Sequence, residues 1–435
     1  MIFLPFLFLF VLIVLSFHAD AMHGDGARYN EFANNLLNGF YSAPAPDINL
    51  WSGPGYPVFL MPFVFFKMPL VSMTLANAFF QYFSIILLFY AVKEYASRQK
   101  ALFFSFLWAC YYVSYQELYS ISTEPLASFL TALVVYLVAK SFKSGSAIGF
   151  QFLLGVVIGY LALTKIIFGY VIVILLFISF LLFFFKIEPA KNKKLLFILS
   201  LAFAVNVPYL FYTYSLTGKA LYFGNSGGLS LYWMSTPFEG EFGDWNNESF
   251  TANCGSAASA LCNAASFAKN HQADIDYVSQ FRGVERDDAL KRIAINNILT
   301  HPVKYLRNCL SNVGRLFFGV PNSYIYQREE TLVRFPPNSI ILTMMIFSII
   351  ATIYNFKNIP LEIGFVVTLI LVYLFLTTLV SAYPRQLYIV VPWLLFWFAF
   401  VAEKCVVIKF DMASDRESIG KGRADWRRNS AAVGG

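Results

Sequence analysis

The sequence predicts an all-α polytopic membrane protein with about ten transmembrane helices, and two observations carry that prediction. Of 435 residues, 58% are hydrophobic and 19% aromatic, while only 13% are charged, roughly half the share usual in soluble domains. The apolar residues also fall in runs that approach the roughly 20 residues a spanning helix needs. One soluble domain cannot hide this much apolar surface, which excludes a water-soluble enzyme. The net charge of +7 does not imply a nucleic-acid partner, because Lys and Arg collect in the cytoplasmic loops of membrane proteins.

The expected spans are 1–17, 69–92, 101–116, 125–139, 147–164, 166–185, 195–215, 339–356, 360–382 and 387–408. The run 147–185 contains a single charge, Lys165. As one helix it would extend about 60 Å, twice the hydrocarbon thickness, so it must fold back near Lys165 and Gly169. Residues 1–17 could instead be a signal peptide, with Ala19-Asp20-Ala21 as a small-residue cleavage site. No Lys or Arg precedes the apolar stretch, which favours an uncleaved span.

Charge asymmetry orients the spans. With the N-terminus inside, the inward loops and the tail hold seventeen Lys and Arg, whereas the short outward segments hold only Arg28, Lys67, Lys165 and Arg385. Segments 18–68 and 216–338 are therefore expected on the exterior face, because short-loop cations stay cytoplasmic and long loops cross regardless. The expected organisation is an N-terminal membrane module (1–215) that includes the exterior loop 18–68, then a large exterior loop (216–338) and C-terminal membrane helices (339–408). A basic, disordered cytoplasmic tail (409–435) follows. No internal or inverted repeat of the transporter kind is visible.

Interfacial helices are expected in the exterior segments. In 27–37, Tyr29, Phe32, Ala33, Leu36 and Leu37 recur at helical spacing with Arg28, Asn30 and Glu31 between them, the pattern of a helix lying in the membrane surface. Gly39 can end it, and the Pro/Gly cluster to Pro57 reads as loop. Residues 218–283 are rich in Gly, Ser and Asn and read as irregular. Residues 285–318 are periodic, with Pro302 dividing them into two helices. Of the five cysteines, Cys254 and Cys262 are close enough for a disulfide in an oxidising exterior compartment. No CxxC pair suggests structural zinc.

Several charges stand at helix ends on the exterior side. Asp25 precedes the amphipathic helix, where a helix dipole and Arg28 would stabilise it. A general base for a substrate with a lipid tail and a watery head group would stand at the same level. Glu117 and Glu124 bracket an outward turn, and Glu124 precedes Pro125 at a helix start, where capping competes with function. Lys165 is the only charge in its outward turn, between two very apolar helices. Its natural ligand is a phosphate, with snorkelling as the alternative. Arg385 stands at a helix start, where a cation is unfavourable to the dipole. His18, His23 and Asp25 match no metal-binding spacing, and hydrated surface histidines are the plainer account.

A span followed by Asp25, Tyr29 and Ala33, then Gly39, then Pro54-Gly55-Tyr56-Pro57, resembles the membrane glycosyltransferases of the GT-C fold, in the protein mannosyltransferase and aminoarabinose transferase group. Ser122-Thr123-Glu124-Pro125-Leu126, Leu163-Thr164-Lys165 and Arg385 with Pro392 are similar to further, looser motifs of that group. The resemblance runs over roughly residues 1–408. Gly26 departs from it, since many members carry an acidic residue directly after the Asp.

The resemblance implies transfer of a sugar from a polyprenyl-phosphate donor to an acceptor hydroxyl on a glycan, lipid or protein, at the exterior face of what would be a bacterial inner membrane. Asp25 would deprotonate the acceptor for in-line, inverting attack, and Glu124 would orient hydroxyls. Lys165 and Arg385 would stabilise the departing lipid phosphate, and Arg28, Tyr29 and Tyr56 would bind substrate. With these cations no metal or cofactor is required. Two alternatives stand beside it. An O-antigen ligase or polymerase would place essential Arg and His residues in 216–338. A lipid-linked glycan transporter would pair charges at midplane depth, whereas these collect at helix ends.

Overall fold

The computed structural model describes residues 2–18, 21–22, 24–143, 145–246, 263–325 and 330–405. The Cys254–Cys262 pair, His23 and the tail 409–435 lie outside them. Every regular element among the described residues is helical. In chain order the helices are α1 (Leu4–Phe17), α2 (Asp25–Leu37), α3 (Gly55–Phe65), α4 (Leu70–Lys93), α5 (Arg98–Ala109), α6 (Glu124–Ser141), α7 (Ile148–Thr164), α8 (Ile167–Phe184) and α9 (Pro189–Thr217). There follow α10 (Gly227–Met234), α11 (Ala264–Val278), α12 (Gly283–Thr300), α13 (Pro302–Phe318), α14 (Glu330–Tyr354), α15 (Leu361–Val380) and α16 (Pro384–Lys404).

The chain is an integral membrane protein. Seven of these helices, α4, α6, α8, α9, α14, α15 and α16, are long and apolar enough to cross a bilayer, and α1, α3 and α7 are shorter apolar helices. The expected span 101–116 takes a composite form. Helix α5 stops at Ala109 after 12 residues, about 18 Å, and a 3₁₀ turn, Tyr112–Glu117, carries the chain on toward Glu124. Tyr115 donates its hydroxyl to the Ala109 carbonyl at 2.7 Å across that junction. Helix α14 starts at Glu330, nine residues before the expected 339, and runs through Pro336 and Pro337. Asn338 anchors that stretch by donating to the Phe317 carbonyl and accepting from the Tyr111 hydroxyl. The fold-back at Lys165 is as expected, with only Lys165 and Ile166 between α7 and α8.

Helices α6 and α16 form the centre. Thr131 of α6 donates to the Ile389 carbonyl at 2.7 Å, and Trp393 of α16 donates back to the Thr131 carbonyl at 2.7 Å, which satisfies polar groups where water is absent. The helices alternate in direction, so one end of the bundle carries Asp25, Glu124, Lys165 and Arg385. The other end collects different ion pairs: Lys140 with Glu94 at 2.5 Å, Lys100 with Glu403 at 2.9 Å and Lys191 with Glu362 at 3.4 Å.

The described residues 218–246 and 263–325 build a cap over the first of these ends. Two helices, α10 and α11, occupy part of the segment expected to be irregular. They form because Leu229, Tyr232, Trp233 and Phe267 close a separate small core with Ala289, Leu290 and Ala294 of α12. Asn225 ties the cap to the first loop, accepting from the Leu50 amide at 2.9 Å and donating to the Ile48 carbonyl at 3.0 Å. Pro302 divides α12 from α13 as expected. Helix α13 is inside out: Lys304, Asn308, Asn312 and Arg315 are buried, while Val303, Leu306, Leu310 and Val313 are exposed. An outer stripe this apolar is suited to hydrocarbon rather than water.

Candidate active site

The four charges singled out in the sequence come together at the capped end. Gly24, at φ +56°, turns the chain into α2, so Asp25 is the first helical residue, where the helix dipole favours an anion. The Asp25 carboxylate is held from both sides. Arg28 Nη2 is 3.2 Å from Oδ1, and Arg385 Nη1 is 3.0 Å from Oδ2. Arg28 also stacks over the Trp51 ring at 5.0 Å, a cation–π contact that fixes its direction.

Arg385 follows Pro384 at the start of α16, with its guanidinium shared. Besides Asp25 it faces Glu124, with Nε 3.6 Å from Oε1. Two carboxylates thus offset the unfavourable position of a cation at a helix start. Glu124 opens α6 and is only 1% exposed. It accepts from Lys165 Nζ at 2.7 Å and from the Thr123 hydroxyl at 3.2 Å. The result is one continuous chain of charges, Arg28–Asp25–Arg385–Glu124–Lys165, drawn from α2, α6, α16 and the α7–α8 turn. It carries three cations and two anions.

The geometry adds pairings that the sequence did not show. Lys165 is not an isolated cation, because Glu124 pairs with it. Glu124 is buried against two cations, Lys165 and Arg385. Tyr56 is fully buried, with its ring 5.1 Å from that of Tyr29 and 5.8 Å from that of Phe59. It packs between these two rings. Tyr29 itself is nearly buried, and its phenol is held protonated by burial and then by the nearby Glu124 and Asp25 carboxylates.

Sequence reasoning passed over several neighbours. Glu117, weighed only as a turn residue, accepts from the Ser122 hydroxyl at 2.9 Å. Burial and the adjacent Glu124 carboxylate raise its pKa, which favours its neutral form. Trp51 and the glycines of the Trp51–Pro57 loop were legible only as a turn cluster. The loop passes so close to the α7–α8 turn that a Cβ on Gly53 would lie 2.1 Å from the Leu163 carbonyl oxygen, and one on Gly55 would lie 2.6 Å from the Thr164 amide. Gly53→Ala is therefore expected to cost about 1–3 kcal/mol, the range for overpacking. Thermal unfolding in detergent measures it, and an unchanged midpoint would refute the contact. Gly26, the departure from the resemblance, has a packing reason. A Cβ there would lie 3.2 Å from Ile121, so a larger acidic side chain would require Ile121 to shift by a few tenths of an ångström.

No family model matches the sequence, and no curated protein matches it either. Solved structures do. The oligosaccharyltransferase of Archaeoglobus fulgidus, tethered with an acceptor peptide containing the NVT sequon, superposes with a TM-score of 0.50 over 97% of this chain at 12% identity. The fold is GT-C-like. The GT-C-like chain covers 53% of that oligosaccharyltransferase, about half its length. ArnT from Cupriavidus metallidurans bound to undecaprenyl phosphate, also of the GT-C fold, aligns with 92% of the chain and 77% of its own, at a TM-score of 0.40 and 12% identity.

Proposed function

We propose that this GT-C-like protein is a membrane glycosyltransferase that moves a sugar from a polyprenyl-phosphate donor to an acceptor hydroxyl, with inversion. The observation that carries the reading is the charge chain Arg28–Asp25–Arg385–Glu124–Lys165 at one end of the bundle. A carboxylate and flanking cations at a membrane boundary are what this transfer needs. The acceptor oxygen attacks the anomeric carbon from the face opposite the phosphate, forming the new C–O bond as the bond to the phosphate oxygen breaks. The acceptor proton passes to Asp25, and the electron pair leaves with the lipid phosphate, whose growing charge Arg385 and Lys165 meet.

In this reading the ion pairs describe the protein before the donor enters. The phosphate competes with Asp25 for Arg385 and with Glu124 for Lys165, which frees the Asp25 carboxylate to take a proton. Glu124 remains beneath both cations as the group that positions them. Lys165→Ala is then expected to weaken donor binding by on the order of 1.5–3 kcal/mol, the worth of a hydrogen bond to a charged group. Affinity for a polyprenyl-phosphate sugar in detergent measures it, and unaltered affinity in a folded Lys165→Ala protein would remove Lys165 from the donor site.

The ligase or polymerase reading would need catalytic Arg and His residues in the cap. His271 and Arg315 are both 1% exposed, and both are bonded internally, to Glu241 and Tyr232 and to Asn312 and Pro321 respectively. That burial removes these two from such a role, and the exposed Arg282, Arg292, Arg307 and His301 are the cap residues that reading would turn to. We further place the candidate site on the exterior face of the membrane, on the short-loop charge asymmetry. Reporter fusions at Asn253 and Ser418 are expected to give opposite signals, and matching signals would reverse that placement.

A further inference from the structure

The cap contains an open pocket of about 490 Å³ lined by α10, the segment that follows it, α11 and α12, within the roughly 300–1,000 Å³ of small-molecule sites. Phe238 and Tyr232 give it an aromatic side. Asp274, Arg292, Asn296 and Asn297 give it a polar side. Among the described residues, Asp274 accepts from Tyr232 through Oδ2 at 3.0 Å and leaves Oδ1 unused. The side chains of Arg292, Asn296 and Asn297 are likewise uncommitted to protein partners there.

The floor is built rather than incidental. The Tyr232 hydroxyl is 2.7 Å from Nδ1 of His271, and His271 Nε2 is 3.0 Å from Glu241 Oε2. The Tyr232 hydroxyl thus stands between Asp274 Oδ2 and His271 Nδ1. The phenol and the Asp274 carboxylate are thereby fixed in direction by a buried network.

We propose that this cavity is a saccharide-binding site which, under the function proposed above, holds a sugar unit of the acceptor. A carboxylate, a guanidinium and two amides are planar groups that can each serve two neighbouring hydroxyls, and an aromatic face accepts the C–H side of a sugar ring. Asp274 offsets Arg292 in the lining and Glu241 backs His271, which leaves no unbalanced cation for a phosphate and suits a neutral ligand better. A lipid tail would meet too many unspent polar groups.

The test uses the full chain in lipid nanodiscs. Saturation-transfer NMR is run with glucose, galactose, N-acetylglucosamine and their β-linked disaccharides. At least one of these is expected to bind saturably. Phe238→Ala, and separately the pair Arg292→Ala and Asn296→Ala, are each expected to weaken that binding at least roughly tenfold. The polar pair is exposed, so its loss should leave the fold intact if Phe238→Ala does not. Asp25→Asn should leave sugar binding as it is, so loss of transfer and loss of this site are read separately. The proposal is overturned if no sugar binds the folded protein, if both variants bind as the parent does, or if only phosphate or peptide probes occupy the cavity.

Discussion

Asp25→Asn is expected to lower sugar transfer by about 10²–10⁴-fold, the usual worth of a general base, with donor affinity retained. The amide keeps the shape of the carboxylate but cannot take a proton. The structure sharpens the competing account. Asp25 is gripped by Arg28 at 3.2 Å and Arg385 at 3.0 Å, so its part could be only to hold two arginines in place. If so, Asp25→Asn should weaken donor binding along with turnover, and Arg28→Ala should cost as much as Asp25→Asn. The Asp25 side chain is 32% exposed, so losing these partly screened pairs should change stability by no more than about 1 kcal/mol. A collapse in turnover therefore could not be ascribed to unfolding. Transfer assays in detergent with donor affinity measured in parallel separate the accounts, and near-parental turnover in folded Asp25→Asn protein would end the general-base proposal.

Glu241→Ala is expected to destabilise the cap by about 3–5 kcal/mol, as when one partner of a buried charged network is removed. The Glu241 carboxylate accepts from the hydroxyls of Thr236 and Tyr324, from Asn270 at 2.6 Å and from His271 at 3.0 Å. Truncation would leave these buried donors unmet. Burial acts to raise the Glu241 pKa, but the hydrogen bond and charge of His271 with the two hydroxyls outweigh it, holding the carboxyl below its ordinary 4.5. A depressed carboxyl pKa adds stability above the ordinary value and loses it as pH falls through the folded value. The cap should therefore loosen in acid below about pH 4.5, and Glu241→Ala should flatten that dependence. Hydrogen exchange across 227–300 at neutral and acid pH reads both effects. Parental protection in Glu241→Ala would show the network to be dispensable.

How much could be read from the sequence differs by element. The long spans were legible because length and apolarity are summed over many residues and no single contact can override them. Over 101–116 the apolar run was legible but its form was not: helix α5 ends at Ala109 and a 3₁₀ turn, Tyr112–Glu117, continues the path, a change that no hydropathy window registers. The start of α14 was misplaced because the stretch 330–338 lies ahead of the apolar run, whereas Asn338 anchors a helix that passes through Pro336 and Pro337. Asp25, Glu124, Lys165 and Arg385 were conspicuous as charges at the ends of apolar runs. Their pairing was not, since Lys165 bonds 41 positions back and Arg385 reaches 360 positions to Asp25. That separation turned an apparently lone Lys165 into half of an ion pair. The cap helices α10 and α11 were hidden by their Gly-, Ser- and Asn-rich surroundings, because their stability comes from Trp233 and Phe267 meeting α12.

The inverted helix α13 limits how this protein can be dissected. Its Tyr305 hydroxyl donates to the Leu379 carbonyl at 2.8 Å, and Asn312 donates to the Thr378 carbonyl at 2.9 Å. The helix is thus stitched to the end of α15 through main-chain acceptors. Residues 218–325 expressed alone would strip those partners away and present Val303, Leu306, Leu310 and Val313 directly to water, a recipe for aggregation. Screening of ligands or antibodies against the cap therefore calls for the intact chain in a lipid particle, with α13 seated where hydrocarbon can meet it.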